Sequence, residues 1–473
     1  MKDKFEVISG QLKYREIDFV FLFDGKQLRL IPPKSKENEV LKWFSVSMGD
    51  MEYTKRESHV FEESFLEGVC NENGSHYVFL IHAGTMFGYS NFILSINVFG
   101  YIQSNYPVEN ISKISFMGPE INHIHPVNNA IGCIDIEEMS DNGVFTLKIA
   151  DFDSTTTNKQ EFDVDGKSVS VYFGITRGFS TKITESPVSI NSNMVFEFDP
   201  TSDYVFLVKL WKIAKSFICF MCYRKNVDLT QVEISIPWKD GKKKTIGNLV
   251  ISDDSTNEAE TIENNECIKQ KYINGYEGLI LGDIAQDTLY TRHIPNSSKA
   301  GRHIDAGRFV MITAAFEWEF RNLYPNGLPK SESTLKVERQ VEEALKELID
   351  SSSGDLKRKY KSLLKTAKFS SLENKVIKIG EDFHDIIGIF GDRLYKMNGE
   401  QLHYNEMGER IANQRNNFAH GNLDKDFIGS ALLDVIYMEY VVYAMQLKKY
   451  GVSDLNIRKS INDLFNLRIA ITK

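Results

Sequence analysis

The stretch from Arg415 to Gly421 contains the residue types that metal-free cleavage of RNA needs. It reads Arg-Asn-Asn-Phe-Ala-His-Gly, so the arginine precedes the histidine by five positions. The reaction requires a cation that holds the phosphate while negative charge builds on it, and a guanidinium does so through forked hydrogen bonds. It also requires a group that exchanges protons near neutral pH, as imidazole does. Arg415 and His420 are therefore candidate catalytic residues, with Asn416 as a polar supporter.

The spacing of this pair leaves a second interpretation open. Five positions on an ideal helix place the two side chains about 140° apart around the axis. Gly421 predicts that the helix ends just after His420, which would let a long arginine and a terminal histidine flank one cleft. Arginine and histidine also occur at this distance in helices without catalytic function. Arg415 would then face solvent, and His420 would be a packed C-terminal residue.

The composition is that of a soluble globular protein of two or three domains, with 473 residues, 42% hydrophobic and 26% charged. The net charge of −9 is unevenly divided. Residues 301–473 contain 26 Lys and Arg against 24 Asp and Glu, and the rest of the chain contains 30 against 41. Only the C-terminal part therefore favours phosphate. Lysines interrupt the most apolar stretch, residues 204–223, which predicts a buried helix and no membrane span.

The N-terminus and the cysteines bear on location and on metals. The first six residues have mixed charge and no apolar run follows them, which predicts no signal peptide. Five scattered cysteines fit a reducing cytosol. Cys219 and Cys222 have the spacing of half a zinc site but lack a second pair, so we predict core packing there. We expect a cytoplasmic protein with no metal site and no cofactor.

The first 252 residues have the pattern of a β-rich domain. Residues 169–175 alternate in hydrophobicity with a period of two, and Tyr77–Ile81 is a continuous apolar run. Turn signals such as Asp165-Gly166 recur between such segments. We predict a β-sandwich or a partly open barrel. A helix over residues 202–223, capped by Thr201, Ser202 or Asp203, should pack against it.

The rest of the chain has the pattern of a linker followed by helices. Residues 253–266 are acidic and rich in Ser, Thr and Asn, so residues 253–300 are predicted to be a linker and connecting segment. From residue 301 the apolar period becomes helical. The predicted helices lie around residues 309–320, 337–349, 355–368, 372–395, the Arg415–His420 motif, 427–448 and onward from Ser453. The prediction is an α+β multidomain protein with an all-α bundle over residues 301–473.

Arg415-Asn416 and His420-Gly421, in a late helix of such a bundle, resemble the motif of HEPN ribonucleases. Joined to a long β-rich N-terminal region, the bundle is most similar to the ApeA-type anti-phage HEPN proteins of bacteria. The motif covers only a few residues, whereas the architectural likeness extends over most of the chain. The resemblance implies a metal-independent endoribonuclease that leaves 2′,3′-cyclic phosphate and 5′-OH ends, usually as a homodimer whose two motifs meet in one cleft. It assigns catalysis to Arg415 and His420, supported by Asn416.

A basic run in the same predicted bundle has the charge for phosphate contact. Six Lys and Arg residues fall between Asp355 and Glu373 with no acidic residue intervening, and the last of them is Lys368. Such a run is either a solvated helix face or an RNA-binding surface. The four residues that we predict to contact RNA, called the basic run below, are Lys357, Arg358, Lys361 and Lys365.

The resemblance, together with these patterns, implies two functions from different classes. The first is an RNA-cleaving effector of bacterial anti-phage defence acting by abortive infection, with tRNA anticodon loops as a candidate substrate because single-stranded loops expose the 2′-OH. Its β-rich domain would restrain the nuclease or sense a phage-derived trigger. The second is a non-catalytic HEPN-like module that binds nucleotide or RNA, beside a β-rich domain that recognises protein or carbohydrate.

Overall fold

The computed structural model describes residues 6–48, 51–54, 60–132, 148–184, 186–252, 260, 266–328, 332–367, 371–421 and 427–471. The chain forms two compact units. The first comprises Met1–Cys219, Asn226–Ile262 and Glu277–Gln286, and the second comprises Phe220–Lys225, Glu263–Tyr276 and Asp287–Lys473. These units interleave along the chain, whereas the sequence patterns predict the consecutive ranges 1–252, 253–300 and 301–473. Those boundaries stay predictions, and most of the acidic stretch 253–266 lies outside the described residues.

The first unit is built mainly of antiparallel strands. The strands are β1 (Ile8–Tyr14), β2 (Ile17–Phe23), β3 (Gln27–Ile31), β4 (Ser45–Met48), β5 (Met51–Thr54), β6 (Phe65–Cys70), β7 (His76–Leu80), β8 (Gly88–Ser90), β9 (Ile93–Asn97), β10 (Gly100–Ser104), β11 (Ile111–Met117), β12 (Gln160–Val164), β13 (Lys167–Phe179), β14 (Val188–Thr201), β15 (Gln231–Pro237) and β16 (Lys243–Ile251). Its helices are α1 (Glu37–Phe44), α2 (Pro119–Ile124), most of α3 (Tyr204–Cys222) and α4 (Glu277–Ala285).

Fourteen of the described strands form one open sheet. Their order is β12-β13-β14-β11-β15-β16-β10-β7-β6-β1-β2-β3-β9-β8. The terminal strands β12 and β8 do not pair with each other, and a barrel requires that closure. The predicted barrel is therefore wrong. At one end of the sheet, α4 packs against β12. The approach is so close that a Cβ added to Gly278 would lie 2.6 Å from the Glu161 carbonyl oxygen. A covered end strand does not need a pairing partner.

Alternating burial explains how the strands build their core. On β2, Ile17, Phe19, Phe21 and Phe23 point inward while the residues between them are exposed or half-buried. Phe79 of β7 meets Phe21 and Phe23 edge to face, with ring centroids 5.1 and 5.0 Å apart. An N-terminal antiparallel β-sheet region followed by a helical region is the architecture of the chain.

The helix predicted over residues 202–223 is α3. Asp203, one of the three predicted caps, accepts a hydrogen bond from the Phe206 amide at 3.0 Å. Although α3 is largely apolar, three lysines lie within it: Lys209, Lys212 and Lys215. No helix within the described residues is long and apolar enough to cross a membrane.

The second unit is helical. Its helices are α5 (Ser298–Gly301), α6 (Ala306–Leu323), α7 (Glu332–Ser351), α8 (Gly354–Ala367), α9 (Leu372–Met397), α10 (Tyr404–Ala419), α11 (Ala431–Lys449) and α12 (Asp454–Leu464). Helix α11 packs against α6, α9, α10 and α12 and is buried along most of its length. It begins four residues later than predicted, after Gly429, whose φ of +56° is left-handed and not helical.

Helices α7 and α8 form a separate hairpin within this unit. They are joined by Ser352 and Ser353 and pack mainly against each other. Ile349 of α7 is buried, but Val337 and Val341, which lie in the same predicted helix, are 57% and 43% exposed. The predicted helix is therefore present, while much of its apolar side is open to solvent.

Candidate functional site

The predicted motif lies at the C-terminal end of α10. The inner face of this helix buries Met407, Ile411 and Phe418 against its neighbours. It packs most extensively on α9, where Gly380 permits the close approach, because a Cβ on Gly380 would meet the Tyr404 ring at 2.3 Å. Arg415 and Asn416 therefore sit on a helix whose position is fixed by the core.

The helix ends as the sequence predicts. Its last residue is Ala419, His420 is the C-cap residue, and the His420 amide donates to the Asn416 carbonyl at 3.1 Å. Gly421 follows with a φ of +79°, a conformation that favours glycine and turns the chain out of the helix. His420 is exposed, and no hydrogen bond joins its imidazole to another described residue. The ring is therefore accessible to a ligand.

Three aromatic rings anchor the end of α10. Phe418 meets Phe309 of α6 with ring centroids 5.5 Å apart and Phe427 with centroids 5.4 Å apart, both edge to face. Such contacts add about 0.5–1.5 kcal/mol each beyond the burial of their surface. Because Phe418 precedes His420 by two residues, this cluster fixes the backbone from which the imidazole projects.

Arg415 is half-exposed and engaged by side chains from two directions. Its Nη1 donates to Asn416 Oδ1 at 3.4 Å, and its Nη2 lies 3.7 Å from Glu317 Oε2 of α6. Lys375 of α9 donates to the other oxygen of Glu317 at 3.1 Å. The guanidinium therefore belongs to a Lys375–Glu317–Arg415 charge cluster whose net charge is positive. Such a cluster can receive a phosphate oxygen.

The structure places the two catalytic candidates in one region but on different sides of the helix. The five-residue spacing turns them about 140° apart around the axis. Arg415 leans toward α6, whereas His420 projects from the helix end. One copy of the chain therefore offers a cation and a proton-exchanging group at the same helix terminus, without a direct hydrogen bond between them.

A buried ion pair fixes the middle of α10. Arg410 donates from Nε to Asp434 Oδ2 at 2.8 Å and from Nη2 to Asp434 Oδ1 at 2.9 Å. Tyr395 of α9 donates its hydroxyl to the same carboxylate, which is fully buried. Hydrogen bonding to Asp434 raises the pKa of the Arg410 guanidinium. Burial raises the pKa of the Asp434 carboxyl, an effect that its hydrogen bonds with Arg410 oppose. The Asp434 carboxylate on α11 therefore joins α10, through Arg410, to α9, through Tyr395. This junction lies five residues before Arg415.

The basic run lies on another helix. Lys357, Arg358, Lys361 and Lys365 are all on α8, and Lys368 lies outside the described residues. Arg358 forms an exposed ion pair with Asp355 at 3.4 Å. Helix α8 packs mainly on α7, and its main contacts do not include α10. Among the described residues, the helix that carries the basic run therefore has no extensive contact with the helix that carries the motif.

A second polar cluster is buried between α6 and α11. Glu439 accepts hydrogen bonds on Oε1 from Arg308 at 2.5 Å and from Tyr223 at 2.6 Å. Burial raises the pKa of Tyr223 well above its ordinary value. His293 packs against the Tyr223 ring, its two ring nitrogens have no hydrogen-bond partner among the described residues, and burial lowers its pKa to about 3. A cavity of about 360 Å³ is lined by Tyr223, Glu439, Arg302 and other residues.

The sequence left Glu317 open, either as an i,i+4 partner of Arg321 or as a residue lining the cleft, and it gave no sign of Lys375. Glu317 and Lys375 come from α6 and α9, and an isolated charged residue on a helix does not reveal its partner. Asp434 and Glu439 carried a clearer signal, because acidic residues inside the otherwise apolar α11 predict buried partners. In the described part of the chain, no group of three or more His, Cys, Asp and Glu side chains is arranged to hold a metal ion.

Comparison with known proteins gives no relative: no family model, no curated protein and no solved structure matches this chain. The resemblance to HEPN ribonucleases therefore rests on the motif and on the order of the elements. Its consequences for function are proposals.

Proposed function

We propose that the protein is a HEPN-like, metal-independent endoribonuclease. One observation carries the proposal: an exposed, unbonded imidazole ends the same helix that bears a half-exposed guanidinium within a positive cluster. These are the groups that RNA transesterification needs at one place. The anchoring of α10 by Phe418 and Arg410 supports it, since a catalytic pair must be held in a defined geometry.

The chemistry assigned to each residue is as follows. His420 takes the proton of the ribose 2′-OH, or gives a proton to the departing 5′-oxygen. The 2′-oxygen attacks the adjacent phosphorus, the bond to the 5′-oxygen breaks, and the products are a 2′,3′-cyclic phosphate and a 5′-OH. Arg415 binds the phosphate and stabilises the charge of the pentacoordinate transition state. A single imidazole performs only one of the two proton transfers, so we assign the other to His420 of the partner subunit in a homodimer.

The Glu317 contact defines what must change when RNA binds. A phosphate oxygen reaching Arg415 competes with the Glu317 carboxylate, which lies 3.7 Å away. Lys375 remains paired with Glu317 at 3.1 Å and neutralises it when the guanidinium turns to the substrate. Loss of the Glu317 carboxylate should therefore change the affinity for RNA more than the rate at which bound RNA is cleaved.

The biological role follows from the activity. An unregulated ribonuclease would poison its host, so we assign restraint or recognition of a phage-derived trigger to the β-rich unit. The role is then that of an anti-phage effector in the bacterial cytoplasm, with single-stranded RNA loops such as the tRNA anticodon loop as substrate class.

The Arg415–Glu317 ion pair also favours a second candidate function. An arginine that is already paired could serve a bundle that binds RNA or nucleotide without cutting it. The two functions differ in the role of His420. It is essential for cleavage, but it is only one contact among several for binding.

Substitution of the motif tests the proposal. His420→Ala and Arg415→Ala should each lower RNA cleavage by about 10²–10⁴-fold, and the double variant should be little worse, because both residues act on one step. His403→Ala is the matched control, since it removes an exposed histidine at the other end of α10. Cleavage and toxicity in a bacterial host are measured beside circular dichroism. A folded His420→Ala protein that cuts RNA as the parent does would overturn the proposal. A parent that binds RNA without cutting it, and a His420→Ala variant that binds with the same affinity, would favour the binding module.

A further inference from the structure

The α7–α8 hairpin carries an apolar face that nothing in the described structure covers. Five side chains on it are 41–57% exposed. Three belong to α7 and two to α8: Val337, Val341, Leu348, Leu356 and Leu363. Exposed apolar side chains scattered singly are ordinary, but a continuous patch on two packed helices marks an interaction surface.

These residues lie on one side of the hairpin. On α7, Val337, Val341 and Leu348 are rotated by about 80–120° from the buried Ile349. On α8, Leu356 and Leu363 are rotated by about 80–100°, in the same sense, from the half-buried Leu364. The short connection makes the two helices antiparallel. Rotation in the same sense on two antiparallel helices places both sets of residues on the same face.

We propose that this face binds a second copy of the chain, with each α7 lying against α8 of the partner subunit. The opposite net charges of the two helices favour a second copy as the partner. Helix α7 has six acidic and three basic residues, a net charge of −3, whereas α8 has one acidic and five basic residues, a net charge of +4. A two-fold axis parallel to the hairpin places the acidic helix of each copy on the basic helix of the other. The result is a four-helix bundle.

The positions along the helices fit this arrangement. Val341 precedes Ser352 by eleven residues, and Leu363 follows Ser353 by ten, so the two lie at nearly the same height above the turn. The proposed axis preserves that height and sets Val341 opposite the partner's Leu363. It likewise sets Leu348 opposite the partner's Leu356. The exposed apolar residues therefore meet one another across the interface.

The size of the face is adequate for a specific dimer. Helix α7 has 20 residues and is therefore about 30 Å long, and two helices packed about 10 Å apart present a width of about 20 Å. The footprint is on the order of 600 Å², close to the roughly 800 Å² that each partner buries in a standard interface.

This interface deepens the proposed function, since it supplies the second copy that the composite site needs, and it leaves most of the basic run free. Arg358, Lys361 and Lys365 are exposed and lie on the opposite side of α8 from Leu356. They therefore stay available to RNA in the dimer. Light scattering tests the interface without RNA, so a dimer held by this face that does not cut RNA would overturn the proposed function alone. An active protein whose dimer neither variant weakens would overturn this interface alone.

Charge substitution at matched positions tests the interface in the full chain. Val341→Lys sets a cation against the partner's basic α8, and Leu363→Glu sets an anion against the partner's acidic α7. Light scattering should give twice the chain mass of 54.2 kDa for the parent and the chain mass for each variant, with the dimer Kd raised at least tenfold. A mixture of the two variants should form a heterodimer, because the new Lys and Glu then face each other.

Leu335→Glu is the matched control, because this leucine is also exposed on α7 but lies about 120–160° around the helix from Val341 and Val337. It should leave the dimer mass unchanged, and circular dichroism confirms that each variant is folded. A parent that is monomeric at every concentration tested would overturn the proposal. So would a dimer that neither Val341→Lys nor Leu363→Glu weakens, or one that Leu335→Glu weakens equally, since another surface would then hold the copies together.

Discussion

Replacing Arg410 by methionine should destabilise the helical unit strongly, because it removes the main partner of a fully buried carboxylate. Arg410 donates two hydrogen bonds to Asp434, at 2.8 and 2.9 Å, and Tyr395 then remains as a hydroxyl donor. Breaking a buried pair by removing one partner costs about 3–5 kcal/mol. Methionine retains the apolar stem of the arginine, so the loss is mainly electrostatic.

The expected loss is a large part of the roughly 5–15 kcal/mol that stabilises a typical domain. It should lower the Tm of the helical unit by roughly 10 °C, since 1 kcal/mol corresponds to about 2–4 °C in a domain of this size. Urea denaturation followed by circular dichroism measures the free energy of unfolding directly. Arg410 and Asp434 are in contact, so Arg410→Met and Asp434→Asn should not be additive, and the double variant should recover at least about 1 kcal/mol of their sum. A loss below about 1 kcal/mol for Arg410→Met, or strict additivity, would refute the role given to the ion pair.

Three further predictions concern metal, affinity and pH. RNA cleavage should persist in excess EDTA. If EDTA abolishes cleavage, and Mg²⁺ restores it whereas monovalent salt does not, the mechanism is a different one. Changing the four residues of the basic run to glutamine should raise the apparent KM and flatten its salt dependence, because phosphate contacts are lost. If RNA binding is unchanged across a salt series, this run is a solvated helix face. Lowering the pH from 6.5 to 4.5 should cost about 2 kcal/mol of stability through His293, because its pKa is about 3 in the folded chain and the unfolded chain takes up the proton below about 6.5, where the slope rises toward about 1.4 kcal/mol per pH unit. Urea titrations of the parent and of His293→Leu measure this contribution, and an equal pH dependence of the two would contradict it.

The helices of the second unit could be predicted closely because their signals are local. The predicted helix over residues 372–395 is α9, Leu372–Met397, and its cap is Ser371, whose hydroxyl accepts from the Asn374 amide. The helix expected to begin near Ser453 is α12, which Ser453 caps in the same way. An apolar period and a capping residue lie within one turn of the element that they define.

Contacts between distant segments could not be predicted in this way. The spacing of Val337, Val341 and Leu348 shows that they share a helix side, but it does not show whether another element covers that side. The order of the strands and the open ends of the sheet depend on pairings across more than a hundred residues. Arg415 and His420 could be placed on one helix, and their catalytic role stays a prediction. For the same reason as the strand order, the contacts of Glu317 on α6 and Lys375 on α9 around Arg415 could not be predicted.

The position of β10 in the sheet has a consequence for synthesis on the ribosome. Its two neighbours are β7, made shortly before it, and β16, which ends at Ile251. Translation at about 5–20 residues per second leaves roughly 7–30 s between the completion of β10 and that of β16. During that interval one edge of β10 has no native partner and can pair with another nascent chain. Slow codons or a waiting chaperone between residues 104 and 243 would therefore affect the yield of folded protein more than the same features placed after residue 251.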